Sequence, residues 1–117
     1  MYDFYWYPKC STCRKAKAQL DSLGIEYREI DLKLLPPTAE KFETWFAQGD
    51  FPTKRFFNTS GLVYRELGLK DKLDSLSEAE MAQLLASDGM LIKRPLIVKD
   101  GKVQQIGYKE EQYNSLQ

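Results

Sequence analysis

Tyr2-Asp3-Phe4-Tyr5-Trp6-Tyr7-Pro8-Lys9-Cys10-Ser11-Thr12-Cys13-Arg14-Lys15-Ala16 passes from a block of strand-favouring aromatics into a run of good helix formers. Cys10-Ser11-Thr12-Cys13 falls at that junction and holds the only two cysteines of the chain. A thiol at a helix start meets unpaired backbone N–H groups and the positive end of the helix dipole. Both favour a thiolate over a thiol. The thiolate is the nucleophile, and in C-x-x-C motifs it forms well below the free thiol value of about 8.5.

The spacing gives the two sulfurs different surroundings. Cys13, Ala16, Leu20 and Leu23 recur at helical intervals, so one apolar stripe is predicted with Cys13 on it and facing the core. Cys10, at the very start of the helix, is left to face solvent. No acidic residue occurs between Asp3 and Asp21, whereas Lys9, Arg14, Lys15 and Lys17 are all basic. That local charge is expected to depress the Cys10 pKa further. Cys10 is therefore the candidate nucleophile and Cys13 the candidate resolving thiol. Lys9 and Arg14 are candidate substrate-binding cations, although a solvated side chain accounts equally for Arg14. Two plainer accounts compete: a pair of inert packing cysteines, or half of a zinc site. The second lacks ligands, because a structural site wants four of them and the chain has no further cysteine and no histidine.

The missing histidine excludes a Ser-His-Asp triad, a Cys-His dyad and a histidine metal site. No metal or cofactor is implied by the residues present. With 117 residues the chain suits one domain able to bury a conventional core. Seventeen basic residues balance seventeen acidic ones, so bulk charge gives no argument for nucleic-acid binding or an anionic membrane surface, and neither direct nucleic acid nor membrane is expected as a partner. No apolar run reaches the length of a membrane span, and Met1-Tyr2-Asp3 lacks the basic start of a signal peptide. The expectation is a cytoplasmic protein, in which a C-x-x-C pair is catalytic or redox-sensing rather than a structural disulfide.

Downstream, Gly24 is placed for a left-handed helix cap, and Ile25 to Asp31 alternates apolar and polar like a half-buried strand. After Pro36-Pro37, Thr38 caps a helix with Ala39, Phe42, Trp45 and Phe46 on one stripe. Short helical pieces are expected around 54–57 and 63–67. Ser77-Glu78-Ala79-Glu80 reads as a capping box opening a helix with Met81, Leu84 and Leu85 inward, which Asp88-Gly89 closes. Leu96 to Lys99, Asp100-Gly101 and Lys102 to Ile106 form a hairpin signal. A last short helix follows Gly107, with Tyr113 and Leu116 inward. Trp45, Phe56 and Phe57 read as core.

The order β-α-β, helices, β-β-α is that of an α/β, thioredoxin-like (glutaredoxin-like) fold. It has a mixed four-stranded sheet and a helical insertion at about 38–89, all within a single domain 1–117. In that fold a cis proline faces the thiol motif, which gives Arg94-Pro95 a meaning. On pattern alone, a trans proline at the start of an edge strand is equally allowed.

Four stretches then carry a family resemblance: Tyr7 to Ala16, Tyr64 to Leu69, Leu91 to Val98, and Ile106-Gly107-Tyr108. Together they resemble the arsenate reductase (ArsC) family, and especially its branch that includes Spx and MgsR. The resemblance implies that Pro95 is cis and lines the substrate site. It places Cys10 at the reductases' nucleophilic cysteine and Arg94 at one of three anion-binding arginines. The other two positions carry Asn58, a further candidate substrate contact, and Gly107. Three functions follow as expectations. The first is a thiol–disulfide oxidoreductase served by glutathione, glutaredoxin or a thioredoxin-like reductant, or acting on a disulfide substrate. The second is an Spx-like redox switch that binds the RNA polymerase α subunit, and the third is arsenate reduction.

Overall fold

A computed structural model describes residues 1–116, and they form two compact units. One comprises Met1–Asp31 together with the C-terminal stretch from Arg94; the other is Leu32–Lys93. The stretch 38–89, expected as a helical insertion, lies within the second unit.

The first unit is built on four strands: β1 (Tyr2–Trp6), β2 (Tyr27–Asp31), β3 (Leu96–Lys99) and β4 (Lys102–Ile106), in the order β2-β1-β3-β4. β1 runs parallel to β2 and antiparallel to β3, which pairs antiparallel with β4. This is the mixed sheet of a thioredoxin-like fold. Helix α1 (Ser11–Ser22) connects β1 to β2, as a parallel pair requires. The hairpin between β3 and β4 turns at Asp100 and Gly101, both in the left-handed region (φ 52° and 78°). An Asp-Gly pair suits that turn because both central residues need positive φ. On one face, Tyr2, Phe4 and Ile97 pack with Ala16 and Leu20 of α1 and with Tyr113 and Leu116 near the C-terminus, where a short helix α6 spans Glu110–Tyr113.

Leu23, placed on the buried stripe by spacing, is instead 40% exposed. α1 ends at Ser22, and Gly24, at φ 70°, turns the chain toward β2, so the helical periodicity has already lapsed at Leu23. Gln19 of α1 donates to Glu110 O (3.0 Å) and Asn114 Oδ1 (2.9 Å), and its Oε1 accepts from Tyr108 OH (2.5 Å). One polar side chain thus ties the C-terminal segment to the helix that carries the thiols.

The second unit contains α2 (Ala39–Gln48), α3 (Leu62–Glu66), α4 (Leu69–Lys72) and α5 (Glu78–Ser87). Thr38 Oγ1 caps α2 by accepting from Lys41 N–H, and Gly49 ends it at φ 80°. Ser77 and Glu80 form the full reciprocal capping box of α5. α2 packs against α5, and Phe42, Trp45, Phe46 and Phe56 interlock with ring centroids 5.2 to 6.4 Å apart. Of the three apolar residues expected inward on α5, Met81 and Leu85 are buried, whereas Leu84 is only half-buried. Gly89 does more than close that helix. A Cβ there would lie 1.9 Å from Leu32 O, so only glycine admits the two backbones at this distance. The stretch 68–76, unassigned from sequence, holds α4 and a following 3-10 turn, Leu73–Ser75. Both are too short and too charged for a periodic signal, yet they bury Leu69 and Leu73. Among the described residues, no helix is long and apolar enough to cross a membrane.

Candidate functional site

The cysteines sit where β1 hands over to α1. β1 ends at Trp6, and the turn Tyr7–Cys10 is closed by the Cys10 N–H donating to Tyr7 O at 3.0 Å. Arg14 then reaches back from α1 and donates through Nη1 to Pro8 O at 2.9 Å, pinning the same turn. Arg14 is thereby placed as a brace of the loop, and Lys9 is exposed on it.

Cys10 is itself the N-cap of α1. Its backbone is extended, its carbonyl accepts from Arg14 N–H at 3.1 Å, and its sulfur accepts from Cys13 N–H at 3.4 Å. A sulfur in the place of a capping oxygen takes up one of the donors a helix start leaves unpaired, and its anionic form takes it up best. Cys13 lies one turn on with no exposed surface, whereas Cys10 is half-buried; both are free thiols. The assignment of Cys13 to the inner face and Cys10 to the outer one holds.

Burial works to raise the Cys10 thiol, but it is outweighed. Hydrogen bonds from the Cys13 side chain and backbone, with the charge and hydrogen bonding of Arg94, hold Cys10 below its ordinary value. Cys13 goes the opposite way. Burial pushes it up to about 12, helped by the hydrogen bond and negative charge of Cys10 and opposed by a hydrogen bond from the Tyr7 backbone N–H. The cation acting on Cys10 therefore comes from the start of β3. Lys17, counted by sequence with the basic surroundings of the thiol, is engaged elsewhere. It donates to Tyr27 OH at 2.8 Å and pairs with Asp21 at 3.6 Å and Glu29 at 3.8 Å.

Arg94 is half-buried, and its guanidinium carbon lies 5.7 Å from the centroid of the Tyr7 ring. The Arg94–Pro95 peptide bond is cis and Pro95 is buried. Pro95 O accepts from Gly107 N–H at 2.8 Å, and Gly107 O accepts from the buried Tyr113 OH at 2.9 Å. The Tyr113 phenol is held strongly in its neutral form, above all by burial. Gly107, at φ 79°, is fully part of this frame but has no side chain to offer a substrate.

Asn58 belongs to the other unit. Its N–H donates to Leu91 O at 2.8 Å, its Oδ1 accepts from Ser60 Oγ at 3.3 Å, and its carbonyl accepts from Gly61 N–H at 3.1 Å, so it organises the turn 58–61. Cys10, Cys13, Arg94 and Pro95 are thus gathered in the sheet unit, with Arg14 bracing their loop. From sequence, Tyr7 reads as a strand residue and Tyr113 as core, neither with a part at the site. The available signal for Tyr7 was its position, an aromatic at the carboxyl end of a strand, where sites of α/β sheets open. Among the described residues, no group of three or more His, Cys, Asp or Glu could hold a metal ion.

Comparison with known proteins agrees with this arrangement. A Streptococcus mutans UA159 structure described as a possible arsenate reductase superposes with a TM-score of 0.90 at 60% identity, covering 93% of this chain and 92% of that one. The uncharacterized protein YusI of Bacillus subtilis (strain 168) is 53% identical over 110 residues, 94% of this chain and 92% of its own length. The global transcriptional regulator Spx of Lactiplantibacillus plantarum is 30% identical over 112 residues, 96% of this chain and 83% of its own. The ArsC family model matches residues 5–116. A thioredoxin-like sheet, a cysteine pair at the head of α1 and a match over nearly the whole chain make this protein a thiol-redox member of the ArsC family, with a thiol-based redox partner implied in general.

Proposed function

We propose that the protein is an arsenate-reductase-like thiol–disulfide oxidoreductase, with Cys10 as nucleophile and Cys13 as resolving thiol. One observation carries this reading: two sulfurs joined through a single hydrogen-bonded turn lie in opposite environments. Cys10, half-exposed, capping a helix and facing Arg94, is suited to being a thiolate. Cys13, without exposed surface, is suited to waiting as a thiol.

The Cys10 thiolate attacks one sulfur of a disulfide, forming a mixed disulfide and releasing the other sulfur as a thiolate. Cys10 then no longer carries charge. Two of the effects that held Cys13 up, the Cys10 charge and its hydrogen bond, disappear at that moment. Cys13 loses its proton more readily, attacks the Cys10 sulfur and expels the second thiolate. The substrate has gained two electrons and the protein holds a Cys10–Cys13 disulfide. A thiol reductant such as glutathione, glutaredoxin or a thioredoxin-like protein restores both thiols, which suits a reducing, cytoplasmic setting.

Arsenate is a second candidate oxidant, favoured by the 60% identity to the S. mutans protein and by Arg94 beside Cys10. Two thiols would reduce it to arsenite and water. The arginine count weighs on affinity, since an oxyanion is best held by several guanidinium forks. A regulator binding RNA polymerase is supported less, because the Spx protein compared above shares only 30% identity.

Trapping tests the proposal. In a Cys13→Ser variant the mixed disulfide should accumulate on Cys10 and be seen by mass spectrometry. The intact protein after mild oxidation should instead lose two hydrogens and carry no adduct. An adduct that persists on Cys10 in the intact protein would remove Cys13 from the mechanism. Arsenate-dependent thiol oxidation, lost in Arg94→Ala, would select the second oxidant.

A further inference from the structure

Tyr7 touches all three members of the thiol site. Its carbonyl accepts the Cys10 N–H at 3.0 Å, its own N–H hydrogen-bonds the Cys13 sulfur, and its ring lies under the Arg94 guanidinium at 5.7 Å. Any residue could make the first two contacts, since they belong to the backbone. The third needs an aromatic face.

Arg94 has the side chain that such a face holds. Its side chain is long and only half-buried, and it follows the exposed Lys93. A guanidinium held over a ring face loses part of its freedom to turn away from that face. We propose that Tyr7 is a positioning residue, its ring face holding the Arg94 guanidinium where the N–H groups meet the Cys10 sulfur. This rests on the nucleophilic role proposed for Cys10. Tyr7 itself exchanges no proton and forms no bond with substrate.

The experiment is alkylation of the full-length protein with iodoacetamide across pH, with the modified cysteine assigned by mass spectrometry. Wild type, Tyr7→Phe, Tyr7→Leu, Arg94→Ala and the Tyr7→Leu/Arg94→Ala double variant are compared. Tyr7→Leu should raise the midpoint for Cys10 by roughly 0.5–1 pH unit, the scale of a lost cation–π contact. Tyr7→Phe, which keeps the ring, should restore the wild-type midpoint. The double variant should titrate like Arg94→Ala alone, because the ring acts only through the arginine. An unchanged midpoint in Tyr7→Leu, or an equal shift with and without Arg94, would overturn the proposal. Should Tyr7→Leu fold poorly, Tyr7→Trp and Tyr7→Met pose the same contrast between ring and no ring. Disulfide exchange is measured in parallel on wild type. Its failure there would strike the proposed function, while the alkylation series still decides the role of Tyr7.

Discussion

In the sheet unit, the residues that set the chemistry are placed against one another's charge; in the unit formed by residues 32–93, they are placed against one another's volume. Cys10 is shaped by a helix start, a neighbouring thiol and Arg94. Phe42, Trp45, Phe46 and Phe56 are shaped by edge-to-face and stacked contacts and by burial alone. The two kinds of construction fail differently. A lost methylene in an aromatic cluster leaves a void, whereas a lost cation in the site leaves the fold intact and moves a titration.

That contrast can be broken by substitution. The largest expected effect is on the helical unit. Phe42→Ala should destabilise by about 3–5 kcal/mol, seen in denaturant unfolding, because a fully buried ring in contact with three others is removed. Under conditions where this variant remains folded, its Cys10 alkylation profile should match wild type, since the groups acting on that sulfur lie in the sheet unit. A shifted profile would mean that the division between the two constructions is wrong.

Gly89→Ala comes next, at about 1–3 kcal/mol or somewhat more, because the new Cβ would collide with Leu32 O and backbone must move. Wild-type stability in that variant would show that the close approach relaxes without cost.

Arg94→Ala sharpens the comparison from the other side. Unfolding should change little, while the Cys10 alkylation midpoint should rise. The sign follows from the charge: the guanidinium favours the thiolate, so its loss moves the Cys10 pKa up toward the free-thiol value. In wild type, Cys10 reactivity is kept above its depressed folded pKa and falls as pH drops through it. Cys13 should stay unreactive until pH approaches about 12. Two cysteines that titrate together would contradict the asymmetry on which the proposed mechanism stands.

The smallest effect is at a cap. Ser77→Ala should cost about 1 kcal/mol, read as a modest shift in unfolding midpoint, because one half of the capping box of α5 is removed.

Some of this was legible in order along the chain. The aromatic block, the C-x-x-C and the helix formers after it specify β1, the turn and α1 by local preference. Asp100-Gly101 specifies a hairpin for the same reason. The capping signals at Thr38 and Ser77 held because a side chain three residues from its donor needs no tertiary partner. The helical stripe also separated Cys10 from Cys13 correctly. It failed at Leu23, one residue beyond the helix, where periodicity continues on paper after the backbone has left it. The segment 68–76 was invisible because one-turn helices carry no period.

Charge was the least legible property. Counting lysines and arginines near Cys10 pointed to Lys9, Arg14, Lys15 and Lys17, but sequence proximity is a poor measure of distance on a helix. Lys17 turns to Tyr27, Asp21 and Glu29, and Arg14 to the Pro8 carbonyl. Family resemblance supplied Arg94 and the cis bond at Pro95. It also suggested Asn58, which belongs to the turn 58–61 of the other unit.

By itself, then, the sequence determined which chemistry is open to this protein: two thiols at a helix start, no histidine, and a strand order that forms a thioredoxin-like sheet. These follow from residue identity and from interactions spanning a few positions. Only the tertiary structure decided how the two thiols differ. Their acidities depend on solvent exclusion and on Arg94 and Tyr7, which are brought together by the antiparallel pairing of β1 with β3. Burial and Coulomb interactions act through space, and distance along the chain does not encode them.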